Sequence, residues 1–201
     1  MQILYQDKHL LVINKPSGLL SQPGSLDTSV VTELESRFPF LGVVHRLDQG
    51  TSGIMVMALN QKSLSHLAKQ FQFRTTFKLY EAEVFGQLPL TKGHINLPLR
   101  CDWPNRPKQI VSEDGKPSLT HWHCIESTPE RSRVILIPHT GRSHQLRVHL
   151  ASLGHPIIGD YFYAHEQALA MSPRLHLHAK KLVIHHPVTN QRLSFESQAP
   201  F

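Results

Sequence analysis

Two cysteines, 15 acidic residues and no long apolar run are the scarcities of this 201-residue chain. Cys101 and Cys124 are too few for a disulfide scaffold, and neither lies in a C-x-x-C pair, which argues against structural zinc. No stretch approaches the ~20 apolar residues of a membrane span. The first residues, Met1-Gln2-Ile3-Leu4-Tyr5-Gln6-Asp7-Lys8, lack the basic and apolar regions of a secretory signal. A cytoplasmic protein without a membrane partner is therefore expected. No G-x-x-x-x-G-K-[ST] or G-x-G-x-x-G string occurs, so no nucleotide cofactor is expected. Internal repeats, low-complexity tracts and Ser/Gly linkers are missing too.

What the chain does hold is a moderate basic excess. Lys and Arg number 21, which gives a net charge of +6 with His neutral and a pI near 9.5. That balance permits a polyanionic partner without demanding one. Fifteen histidines can add positive charge below neutral pH. The length suits one domain, residues 1–201, with room for a substantial core.

Hydrophobic periodicity predicts strands at Leu10–Lys15, Gly53–Leu59, Phe77–Phe85, Leu119–Ile125, Arg133–Ile137, Leu182–Ile184 and Arg192–Phe195. Helical spacing covers Thr28–Phe38, Gln61–Phe73 and Ser143–Leu153, the last with Ser143 as candidate N-cap and Gly154 as stop. Strands outnumber helices and do not alternate with them regularly. The expectation is an α+β fold: a mixed, largely antiparallel central sheet with helices packed on it.

The string Val44-His45-Arg46-Leu47-Asp48-Gln49-Gly50-Thr51-Ser52-Gly53 stands out. It sets a carboxylate among turn and hydroxyl residues between apolar runs, where an unpaired charge is costly to bury. A surface turn or helix cap is the ordinary reading of such an Asp. Further strings accompany it. Asn14-Lys15-Pro16-Ser17-Gly18-Leu19 ends a strand in a turn. Lys78-x-Tyr80 sits on a strand, where an isolated Tyr is most often core with a wet hydroxyl. Thr140-Gly141-Arg142-Ser143-His144-Gln145-Leu146-Arg147 opens a helix with cations, which the helix dipole disfavours, so an anionic partner is implied. Gly154-His155-Pro156-Ile157-Ile158-Gly159-Asp160 follows as a turn, and Arg174–His178 reads as a strand entry.

In order, these strings resemble the landmarks of the RluA-type pseudouridine synthases, and the resemblance spans essentially the whole chain. It implies an α+β catalytic domain with an RNA-binding cleft across a mixed sheet. The small RNA-binding module that precedes this domain in many members is not expected here. Cys101-Asp102-Trp103-Pro104-Asn105-Arg106-Pro107-Lys108-Gln109 resembles short members that act on both 23S rRNA and tRNA. By resemblance the catalytic residues are Asp48, Tyr80 and Arg147. Asp48 is the essential carboxylate, Tyr80 stacks on the target uracil, and Arg147 pairs with the carboxylate. Arg46 reaches into the RNA to hold the target nucleotide out of its stack, and Leu146 is an apolar wall beside the uracil. His45, Arg142 and His144 join the RNA-binding set. A carboxylate suits a step that attacks or stabilises an electron-poor carbon and later leaves. Flipping a base costs less in a loop than in a duplex, which favours loop uridines in 23S rRNA and tRNA stem-loops. Short members are expected to be monomers.

His121-x-His123-Cys124, His176-x-His178 and His185-His186 look metal-like. On a strand, however, residues 121 and 123 share a face and Cys124 points away, so no metal is expected. Trp122 reads as core, whereas Trp103 suits core or RNA stacking equally. The alternatives are a non-catalytic RNA-binding protein on the same fold, a metal-dependent RNA hydrolase, and a synthase with a single tRNA or rRNA substrate.

Overall fold

The computed structural model describes residues 1–24 and 28–201. In chain order its elements are β1 (Gln2–Gln6), β2 (Leu10–Lys15), α1 (Val30–Leu34), β3 (Gly42–Val43), β4 (Ser52–Ala58), α2 (Gln61–Gln72), β5 (Phe77–Phe85), β6 (Lys92–Asn96), β7 (Leu99–Cys101), β8 (Gln109–Val111), β9 (Leu119–Ser127), β10 (Arg131–Pro138), α3 (Gln145–Ser152), α4 (Glu166–Ala170), β11 (Leu177–His185) and β12 (Arg192–Glu196). The class is α+β, as expected. Among the described residues no helix is long and apolar enough to cross a membrane. The chain divides into two compact units, Met1–Lys78 with His178–Pro200, and Leu79–Leu177 with Phe201.

The first unit is organised by β4, whose seven residues are all buried. Its apolar Ile54-Met55-Val56-Met57 run suits a strand covered on both faces. β2 runs antiparallel along one edge, from Leu10 opposite Ala58 to Lys15 opposite Gly53. The other edge is shared: β3 pairs antiparallel at Met57 and Ala58, and β11 pairs parallel at Ser52 and Gly53. The loop carrying residues 44–51 therefore springs from β3 and returns into β4 where β11 joins it. β1 and β12 extend this sheet beyond β2 and β11. Helix α2 starts where Asn60 caps it, accepting the Ser63 N–H at 2.9 Å. Leu67 then packs with Leu10, Val12, Ile54, Val56, Leu182 and Ile184.

The second unit is built on antiparallel pairs, β5 with β10, β10 with β9, and β9 with β6. β7 and β8 make a separate hairpin. Alternation along β10 buries Val134 and Leu136 against Ala82, Val84, Leu146, Leu150, Ile157 and Leu177. Trp122 and Tyr80 pack on this core, so Trp122 is the packing residue the sequence indicates. Helix α3 is shorter than expected and its N-cap is His144 rather than Ser143. The reason lies in Gln145, whose Oε1 accepts from Thr140 Oγ1 and the Arg142 N–H, closing the turn that Ser143 would otherwise cap. Gly154 ends the helix with φ +81°, as its position suggests.

Gly53 combines a φ of +115° with an approach that leaves a Cβ only 2.4 Å from the Ala179 carbonyl oxygen. Gly53→Ala is expected to cost about 3 kcal/mol or more, lowering the melting temperature by roughly 6–12 °C. A calorimetric scan that leaves the midpoint unmoved would show that β11 does not need this close approach.

Candidate active site

Asp48 lies in the first unit, on a loop tied down from several sides. Thr51 donates its N–H to the Asp48 carbonyl at 3.1 Å, forming the turn that feeds β4. The side chain of Lys15 is fully buried, and its ammonium donates to the carbonyls of Pro16, Leu19 and Gln49 at 2.9, 2.7 and 3.1 Å. Burying an ammonium is costly unless its protons are taken up, and three carbonyl dipoles take them up here. The Gly18 N–H also reaches the Gln49 carbonyl at 2.9 Å, and Ser17 Oγ donates to the Gly50 carbonyl at 2.7 Å. Ser21 Oγ accepts the Leu47 N–H and donates to the Leu47 carbonyl. The Asn14–Leu19 turn is thus a clamp on the loop that carries Asp48.

His45 is used by the protein itself. Its Nε2 accepts the Val56 N–H at 3.1 Å and its ring stacks on Phe71 at 4.4 Å. Burial, reinforced by the Lys78 charge, pushes its pKa from 6.5 down to about 3. The imidazole is therefore neutral, and any effect of His45 on RNA passes through the loop it holds. Arg46, next in the chain, is exposed.

In the second unit Tyr80 stands on β5 opposite Leu136 of β10, packed on the core. Arg147 is buried on α3. Its Nε and Nη2 donate to both carboxylate oxygens of Asp160, at 2.8 and 2.7 Å. Asp160 is itself fully buried and accepts the N–H groups of Phe162 and Tyr163. The rings of those two residues face the guanidinium, with centroids 5.3 and 5.1 Å away. Asp160 belongs to the turn read from sequence as Gly154–Asp160, but nothing in the spacing marked it as the partner of Arg147. Leu146 is buried in the core cluster. His144 adopts a left-handed φ of 53°, and its Nδ1 meets the Tyr163 hydroxyl at 2.6 Å. Arg142 is half-buried, with Nη2 3.4 Å from the Pro117 carbonyl. The helix below them is saturated. His149 bonds Thr120 Oγ1 and the Leu97 carbonyl, and burial holds its pKa below the usual imidazole value.

The α+β architecture and the comparisons agree. The chain belongs to the RNA pseudouridylate synthase family, isomerases acting on RNA, whose profile matches residues 9–152. It is 50% identical over 204 residues to the dual-specificity RNA pseudouridine synthase RluA of Escherichia coli (strain K12), covering 99% of this chain and 93% of that one. RluA of Vibrio parahaemolyticus is 52% identical over 194 residues, covering 92% of this chain and 78% of the relative. Among solved structures, human RNA Pseudouridylate Synthase Domain Containing 1 superposes with a TM-score of 0.87 at 31% identity, covering 100% of this chain and 84% of that chain. Human RNA Pseudouridylate Synthase Domain Containing 4 gives 0.79 at 28% identity, covering 98% and 88%.

Two outcomes follow from this geometry. Because the His45 pKa is depressed, the folded state binds fewer protons than the unfolded chain below about pH 6.5. Its stabilising contribution is complete above that pH and falls as pH drops toward 3, with a limiting slope of about 1.4 kcal/mol per pH unit. His45→Gln should flatten that slope between pH 6 and pH 5 in urea titrations relative to the parent. Identical pH profiles would mean the ring is not held neutral. For the second, Asp160→Ala should destabilise the fold by about 3–5 kcal/mol, because it strands a buried guanidinium. Urea unfolding reads this directly, and a loss under 1 kcal/mol would show that Arg147 does not depend on Asp160.

Proposed function

We propose that this chain is a dual-specificity RNA pseudouridine synthase, converting one loop uridine of 23S rRNA and one in the anticodon stem-loop of tRNAs. The observation that carries the reading is 50% identity, sustained over 204 residues, to a relative named for dual specificity. The whole of residues 1–201 is taken as one catalytic domain, working as a cytoplasmic monomer.

The reaction breaks the bond from uracil N1 to ribose C1′, turns the base, and joins C5 to C1′. The proton on C5 departs and N1 gains one, so the step is an isomerisation that balances without an oxidant, reductant or co-reactant. Asp48 supplies the carboxylate that meets the electron-poor carbon and later leaves. The clamp of Lys15, Ser17 and Ser21 on its loop supports this assignment, because a nucleophile held in place carries less entropy into the transition state. Tyr80 takes the stacking role against the uracil, and Leu146 borders the base. Arg147 steadies the anionic carboxylate, with its own orientation fixed by Asp160. Arg46, exposed beside the half-buried His45, holds the target nucleotide out of its stack. Arg142 and His144, at the cationic start of α3, meet phosphate.

The test is release of tritium from RNA labelled at uridine C5. Asp48→Asn is nearly isosteric but a poor nucleophile, and should lower the single-turnover rate roughly a thousandfold or more while RNA affinity stays near that of the parent. A variant that keeps a tenth of the rate overturns the role of Asp48. Deletion of the gene, followed by carbodiimide-dependent primer extension, should remove one pseudouridine from 23S rRNA and one from several tRNAs. Loss in a single RNA class overturns dual specificity and leaves the enzyme class intact.

A further inference from the structure

We propose that the turn from α2 into β5, Phe73–Lys78, forms with Arg46 a second RNA contact that stacks and neutralises nucleotides flanking the target. This rests on the RNA-modifying reading above and adds a surface to it.

The first observation is charge without counter-charge. From Gln49 to Tyr80 the chain holds Lys62, Lys69, Arg74 and Lys78 and no acidic residue. Among the described residues no carboxylate pairs with Arg46, Arg74 or Lys78. Several cations of the second unit are answered by carboxylates. Arg133 bonds Glu81 and Glu83, both at 2.9 Å, Arg131 meets Glu83, and Arg100 meets Asp114. Here the cations are left together. Burial and then the Arg74 charge hold the Lys78 ammonium below its ordinary pKa, and Lys78 in turn acts on His45. Phosphate is the ligand chemistry that relieves this repulsion.

The second observation is exposed aromatic surface interleaved with those charges. Phe73 is 67% exposed and Phe77 39% exposed. Phe71, two residues before, is instead turned inward onto His45. Two phenylalanines in water on either side of an arginine are poor packing, but they are what single-stranded RNA binds, since every base offers a face to stack.

The third observation is backbone geometry. Arg74 holds a φ of +58°. Asn190, His144 and Arg74 are the non-glycine residues with positive φ among those described, and Asn adopts this region routinely. Arg74 pays for it in strain with no side-chain bond in return. The turn is fixed by the Phe73 and Thr75 N–H groups, which reach back to the Lys69 and Gln70 carbonyls at 2.8 and 3.0 Å. The turn therefore does not need arginine, whose guanidinium is free to serve a ligand.

The experiment starts with an RNA stem-loop that the parent enzyme modifies by tritium release. Without any such RNA, the reading of function fails before this inference is reached. With that RNA, the parent and the variants Phe73→Ala, Phe77→Ala, Arg74→Ala and Arg74→Gly are titrated across a range of salt. Each Phe variant should bind at least about fivefold more weakly. Both Arg74 variants should lower the magnitude of the salt slope by about 0.7. Arg74→Gly relaxes the strained backbone, so it should melt no lower than the parent while still losing the phosphate contact. Single-turnover rates at saturating RNA should be unchanged. Short-wave ultraviolet crosslinking of the parent should attach RNA to the peptide containing Phe73 and Phe77. Unaltered affinity and salt slope in all four variants, with no crosslink to that peptide, overturns the inference, including the case in which the surface serves a protein partner.

Discussion

A buried ammonium organises the first unit. Lys15 has no contact with water, and three backbone carbonyls receive its protons. Two belong to the turn just after β2 and one to the residue following Asp48. One side chain thus joins segments 34 residues apart in sequence, and neither can shift without leaving a desolvated charge unsatisfied. The serines at 17 and 21 add neutral hydrogen bonds to the same loop. This network holds the backbone on both sides of Asp48 in place.

The second unit solves a related problem with paired charges. Arg147 is buried on a helix with Gln145 and His149, an unusually polar set of interior residues for so short a segment. Each is answered: the guanidinium by Asp160 and two aromatic rings, the amide by Thr120, Thr140 and backbone groups, the imidazole by Thr120 and the Leu97 carbonyl. Buried polar groups that are fully satisfied specify one arrangement of their surroundings, because alternatives leave some of them unpaired. The network around Glu83 lies nearer solvent. There hydrogen bonds from His176 and Arg133 outweigh burial and keep the carboxylate below its usual pKa.

Much of this was legible in the residues. β2 and β5 coincide with their apolar runs, α2 ends one residue early, and β4 is shifted by one residue at each end. Those segments are long and periodic, so local pattern and tertiary burial agree. Several strands that periodicity missed are of another kind. Lys92–Asn96 is a polar edge strand with Ile95 alone buried, and β7 and β8 have three residues each. The short helix α4 likewise left too little pattern to read. The site shows the same division. Asp48, Tyr80 and Arg147 were named from motif strings, whereas Asp160 and the role of Lys15 were not. A lysine closing a mostly apolar strand just before proline was the available signal for Lys15. Its acceptors come from two separate turns, which no local window joins. His45 sat within the most informative string, yet its neutrality depends on Phe71 and Val56, brought to it by α2 and β4.

The shared edge of β4 has a consequence for how the chain is made. β3 and β2 precede β4 or lie close to it in sequence, but β11 begins 119 residues after β4 ends. At ribosomal speeds of about 5–20 residues per second, β4 waits roughly 6–24 s for that partner. During this interval Ser52 and Gly53, directly after the Asp48 loop, present unpaired amides on a sheet edge. Such an edge templates pairing with other chains, so the nascent protein is most exposed to misassembly beside the loop that carries Asp48.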